Sequence, residues 1–244
     1  MKGLIYKDYI ICRKMLAMAY FYCFFFAVMA MLVRISMICG NLADNKEVLD
    51  SLTRNIWLLR YVPCVAFMAA SCMQSTYSDK NCGWLRFCFT TSVGEKRIIG
   101  AKMLFDIAQM TTAYVISILY LLIFLIAEGG MPKFSHFRYI TACYFLFLSF
   151  SFLITLLSVI CKKKQTVDMI MVGIASAIML SIMPALLNKM ESLEGNQDID
   201  VLDFISGEIS IIKSLLLPGA FVLAVVMGVS CYIFSVKVLK RREN

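Results

Sequence analysis

Charged residues fall along this chain in clusters, and between the clusters lie six runs with no Asp, Glu, Lys, Arg or His: 15–33, 61–78, 107–127, 139–161, 169–188 and 214–236. Each run holds 18 to 23 residues, close to the ~20 that a helix rising 1.5 Å per residue needs to cross a hydrocarbon core about 30 Å thick. None alternates apolar and polar positions as a membrane strand would, and a strand would need only ~10 residues, so the pattern predicts helices. The fold expected is an all-α integral membrane protein with six transmembrane helices, at about 15–38, 56–78, 104–127, 139–161, 167–188 and 215–236. Residues 1–244 read as one transmembrane domain, because no stretch is long and polar enough for a soluble one.

The loops set the expected orientation. Segments 1–14, 79–106, 162–168 and 237–244 carry 16 of the 24 Lys and Arg, and the three intervening loops carry the other 8. Carboxylates divide 6 to 10 in the opposite sense. Basic loops are retained on the cytoplasmic side during insertion, so both termini are expected inside, in a multi-pass protein of the cell membrane. The net charge of +8 thus reports topology, and a nucleic-acid partner, which would need a soluble basic face, is not expected.

Composition agrees. Hydrophobic residues make up 61% and charged residues 16%, against about 45–50% and 25% in soluble domains; the lipid bilayer is the expected solvent. The ten cysteines form no CxxC pair and lie mostly in apolar stretches, where cysteine acts as a small hydrophobe. The first apolar run is too long for a signal-peptide core and is expected to stay as a span.

Local patterns add detail. Residues 1–14 mix Leu4, Ile5, Ile10 and Ile11 with Lys2, Lys7, Arg13 and Lys14, as a helix lying at the inner interface would, or an unstructured lead-in. The inner loop 77–102 sets Trp84, Phe87 and Phe89 among Arg86, Glu95, Lys96 and Arg97. Such a mixture suits docking of a soluble partner or anchoring at headgroups. Small residues at fourfold spacing, Gly173, Ala177, Ser181 and Ala185 on the fifth span and Ala220, Ala224 and Gly228 on the sixth, predict close helix packing, within the chain or between copies. The outer stretch 201–217 is apolar enough for short helices on the outer face, and Pro218 suits the first turn of the last span.

Several chemistries lack their residues. No GxxxxGK[ST] loop, HExxH or GxSxG occurs, the single His136 lies in an outer loop, and Asp198, Asp200 and Asp203 lack the spacing of a calcium loop. No catalytic residue, metal site or cofactor on this chain is therefore expected. The six runs hold no interior charge, which argues against ion-coupled transport and intramembrane proteolysis, although Arg34, Arg60, Asp106 and Glu128 stand at their edges.

The opening MKGLIYKD and the segment 79–102 resemble the permease subunits of exporter-type (type-2) bacterial ABC transporters. The shared pattern runs acidic, Trp, aromatic, Leu-Pro, basic, aliphatic pair, Lys. Here it reads Asp79, Trp84, Phe87, Thr91-Ser92, Lys96-Arg97, Ile98-Ile99 and Lys102, with Thr91-Ser92 in place of Leu-Pro and Met103 where a Tyr often follows. The resemblance implies a permease dimer, with a second copy or a paralogue, and two separate cytoplasmic ATPase subunits that bind ATP and Mg. It also implies a coupling helix between spans 2 and 3 carrying Asp79, Trp84, Phe87, Glu95, Lys96 and Arg97, an interfacial helix before span 1 and short outer helices before span 6. Spans 2 and 5 would help line the path, for cargo such as a peptide or antibiotic, a lipid or a polysaccharide. Two other readings stay open: a non-transporting immunity or sensor protein, and a membrane-embedded enzyme.

Overall fold

The computed structural model describes residues 2–38, 56–72, 94–127, 134–161, 165–167, 169–170, 173 and 210–243. Among them there is no strand, and all but Gly94 and Cys161 are helical. The long helices are α1 (Lys2–Ile38), α2 (Ile56–Cys72), α3 (Glu95–Ala127), α4 (Phe134–Ile160) and α5 (Ser210–Glu243). Four of them contain segments long and apolar enough to cross a membrane: Cys12–Val33, Glu95–Ile126, Phe137–Ile160 and Leu217–Arg241. The described part of α2 has 17 residues; the rest of the expected second span, and most of the fifth, lie outside the described residues.

Helix α3 is the centre of the bundle and touches all four others. Its Met110, Leu121 and Phe124 are wholly buried in a core shared with Cys64 and Met68 of α2, Phe152 of α4 and Ala224 and Cys231 of α5. The outer faces are the reverse of a soluble protein's. On α1, Phe21, Tyr22, Phe24, Phe25 and Phe26 are all more than half exposed, and on α5 so are Val222, Val226, Val229, Ile233 and Phe234. Such a continuous apolar exterior is stable only where the solvent is itself apolar.

Contacts give the directions. Cys64 meets Ser117 and Ser71 meets Gln109, so α2 and α3 are antiparallel. Tyr114 bonds Thr141 and Asp106 bonds Thr155, so α3 and α4 are antiparallel too. By contrast Phe145 stacks edge-on against Phe221, and Phe152 lies against Gly228, so α4 and α5 run parallel. A small cluster of Ile99, Val159 and Leu239 brings the start of α3 together with the ends of α4 and α5. Because α4 and α5 are parallel, the chain leaves α4 at one end of the bundle and enters α5 at the other.

Three expectations about element boundaries are corrected. The segment 1–14 is not a separate interfacial helix: α1 runs unbroken for 37 residues, about 55 Å at 1.5 Å per residue. Its buried Cys12 and Leu16 pack against Phe105 of α3 instead of facing headgroups, and Lys7 pairs with the buried Asp8 at 2.9 Å. Helix α3 begins at Glu95, so the last part of the expected inner loop is helix, with the Gly94 carbonyl accepting the Arg97 N–H at 2.9 Å. Pro218 lies inside α5 rather than in its first turn, and residues from Ser210 onward belong to that helix instead of forming a separate outer one. In each case the helix continues past the charges that bound the apolar run.

Candidate functional site

The residues expected to couple to an ATPase fall in two groups. Asp79, Trp84 and Phe87 lie outside the described residues. Glu95, Lys96 and Arg97 form the first turn of α3, where Lys96 and Arg97 are exposed. Glu95 sits where the unpaired N–H groups of a helix start favour a negative charge. From this turn the helix runs without interruption into the bundle core.

Further along α3, polar residues turn inward. Lys102, Asp106 and Gln109 are spaced by four and three, so they share one face, and all three are at least nine-tenths buried. Thr155 of α4 donates to Asp106 Oδ2 at 2.8 Å. Asp106 therefore is not a span-edge charge facing water but a buried carboxylate held between two helices. The uncharged runs therefore do not mark out all of the buried helix, since Lys102 and Asp106, just before the third run, lie inside the bundle. Ionisable groups in such places are costly and commonly tied to function.

Gln109 belongs to a second network that joins three helices. Its Nε2 donates to the Ser71 carbonyl of α2 at 3.0 Å. The Ser71 hydroxyl donates to Phe67 O at 3.0 Å, which leaves the Tyr20 hydroxyl of α1 as donor in the 2.7 Å bond to Ser71 Oγ. The Oε1 of Gln109 is buried and has no hydrogen-bond partner among the described residues. Beside it a groove of about 830 Å³ opens between α1 and α3, lined by residues that include Tyr9, Leu16, Tyr20, Phe105, Ala108 and Gln109. No group of three or more His, Cys, Asp or Glu side chains suited to a metal ion occurs among the described residues.

The packing stripe on α5 is a structural seam. Ala220, Ala224 and Gly228 are buried, and the same face continues through Cys231, Ser235 and Leu239. A Cβ at Gly228 would come within 3.0 Å of the Phe152 ring, so the close approach of α4 and α5 requires glycine there. This places the α5 stripe between helices of one chain. Of the companion stripe, Gly173 is exposed, with no described residue within 4 Å of a Cβ built on it, while Ala177, Ser181 and Ala185 lie outside the described residues.

A scan against family models, a search of curated proteins and a search of solved structures each find no match to this chain.

The sequence reading missed the Tyr20–Ser71–Gln109 network and the burial of Lys102. The four-and-three spacing of Lys102, Asp106 and Gln109 was a usable signal, since it sets three polar side chains on one face of an otherwise apolar helix. Tyr20 and Ser71 gave no such sign, because hydroxyls are common in membrane helices and their partners depend on tertiary contacts.

Proposed function

We propose that this chain is the transmembrane permease subunit of an ATP-driven exporter of the type-2 ABC kind, acting with a separate cytoplasmic ATPase. The observation that carries the reading is the continuity of α3, from the exposed Lys96 and Arg97 turn to the buried Asp106 and Gln109. A stiff helix with its charged start in water transmits a push from a docked ATPase directly to the contacts of α1, α2 and α4. The 79–102 resemblance supplies the docking residues, Trp84 and Phe87, three apart and so on one face if helical.

The six-span, both-termini-inside topology belongs to the same proposal. The starts of α1 and α3 and the end of α5 carry clustered basic residues and lie together with the end of α4, which Lys162, Lys163 and Lys164 follow in the sequence. One further crossing between α4 and α5, at 167–188, completes six spans. In a cysteine-free background, cysteines at Asn45 and Gly195 are expected to react with an impermeant reagent added to sealed cells, and one at Lys163 is not. Labelling at Lys163 overturns the orientation.

Docking is tested by Trp84→Ala with Phe87→Ala. Losing a buried aromatic anchor costs about 2–4 kcal/mol, roughly thirtyfold or more in affinity. The double variant is expected to insert and fold but to lose its ATPase, whereas charge reversal at Lys96 and Arg97 acts more weakly, since exposed ion pairs contribute little. Wild-type retention of the ATPase by the double variant rules this loop out as the coupling element.

A further inference from the structure

Two free thiols and a thioether border one small cavity between α2 and α4. The cavity, of about 150 Å³, is lined by residues that include Tyr61, Cys64, Met68, Tyr139 and Cys143. Cys64 and Met68 are wholly buried, and Cys143 is half-buried. Cys64 and Met68 are four apart, so they share one face of α2. Cys143 enters from α4 at a matching depth, as two contacts with α3 show. Ser117 meets Cys64 and Tyr114 meets Thr141, and the steps from Ser117 to Tyr114 and from Thr141 to Cys143 together span about 7 Å along the helix axes. One turn of α2, from Cys64 to Met68, covers about 6 Å, so Cys143 stands level with Met68. The Cys64 and Cys143 thiols are also near enough for their charges to interact.

The chemistry of this set is soft. Thiolate and thioether donors select cations such as Cu(I), and no carboxylate or imidazole is among the residues that line the cavity. Cu(I) held by two thiolates makes a centre of charge −1, which is costly in apolar surroundings unless a cation offsets it. Arg60 supplies one: its guanidinium donates a hydrogen bond to Tyr61 in the cavity wall, and it precedes Cys64 by one turn. Cys64 loses little with its proton, since its S–H contacts Arg60 O and Ser117 O only at 3.5 Å, and a thiol is a weak donor.

We propose that Cys64, Met68 and Cys143 bind a soft monovalent cation, Cu(I), between α2 and α4, with two thiolates and one thioether as ligands. Binding joins one Cu(I) to two thiols and releases two protons, with no electron transferred. The proposal rests on the packing of α2 against α4 and not on an ATPase partner, so it stands or falls separately from the transport reading.

In the test, purified wild type is loaded anaerobically with Cu(I) and exposed to bathocuproine disulfonate, a chelator that competes for Cu(I), and the copper left per chain is counted. The wild type is expected to keep one Cu(I), and Zn(II), which prefers four donors, is expected not to be held. Cys64→Ala and Cys143→Ala are each expected to lose the ion. Met68→Leu, which conserves volume, is expected to weaken retention, and Arg60→Gln to weaken it about tenfold. Labelling of the unaltered chain decides the matter should these variants fail to fold. Cu(I) is expected to shield Cys143 from N-ethylmaleimide, while Cys23 and Cys161, also half-buried but outside the cavity, react as before. No retention by the wild type, undiminished retention by Cys64→Ala or Cys143→Ala, Zn(II) held as firmly as Cu(I), or equal labelling of Cys143 with and without the ion each overturns the proposal.

Discussion

Along the seam between α2 and α3, helices are tied by side-chain hydrogen bonds to backbone carbonyls. Gln109 Nε2 donates to Ser71 O at 3.0 Å, and the single Ser117 hydroxyl proton is shared between Ala113 O of its own helix at 2.8 Å and Cys64 O across the seam at 3.1 Å. Along the seam between α4 and α5 the contact is made by absence: Ala220, Ala224 and Gly228 remove side-chain bulk so that Phe145 and Phe152 can settle against the neighbouring helix. Both solve the same difficulty, because lipid is as apolar as the helix faces and supplies no hydrophobic drive for association. The polar seam is specific in direction and register but weak per bond. The small-residue seam depends on shape, so it tolerates loss of material better than gain.

That difference orders the expected effects of substitution, all measured as thermal unfolding of the purified protein in one detergent. Gly228→Leu is expected to be the most damaging, by about 1–3 kcal/mol, because overpacking forces Phe152 or the helix to move. Its cost should shrink in a Phe152→Ala background; an undiminished cost would mean that the ring is not what the new side chain meets. Thr155→Val comes next, at about 1–2 kcal/mol, since it withdraws one donor from the buried Asp106 carboxylate. Ser117→Ala is expected to cost only about 0.6 kcal/mol, the usual worth of an interhelical bond in a membrane. Val226→Leu, on the exposed face of α5, should stay within about 0.5 kcal/mol. A large effect at Val226 would show that this face is covered, for instance by a second copy, and that the two seams are not the whole assembly.

The spacing of charges along the chain made the helical character and the location of the apolar segments legible, because excluding charge from hydrocarbon is the strongest constraint on a membrane helix. It misplaced boundaries for a related reason. A charge marks the end of an apolar run but not of the helix, since Asp8 and Lys102 are buried within α1 and α3 and both helices extend beyond the apolar segments. Ala220, Ala224 and Gly228 were legible as a packing face, but only the structure assigns them to Phe152 and α4. The candidate site was half legible: Glu95, Lys96 and Arg97 could be named from pattern, while the Tyr20–Ser71–Gln109 junction joins residues up to 89 positions apart and leaves no local trace.

The two seams matter to function because α3 takes part in one of them and touches both helices of the other, so a push at its exposed start would be divided between a polar tie and a close-packed pair. That account requires a partner that pushes. Purification of this chain from its native membrane in mild detergent tests it most directly. The expected result is a co-purifying protein with a GxxxxGK[ST] phosphate loop, and ATP hydrolysis that requires both chains together. Recovery of this chain without such a partner, carrying its full activity or ligand binding alone, would contradict the account and favour a sensor, an immunity protein or an enzyme.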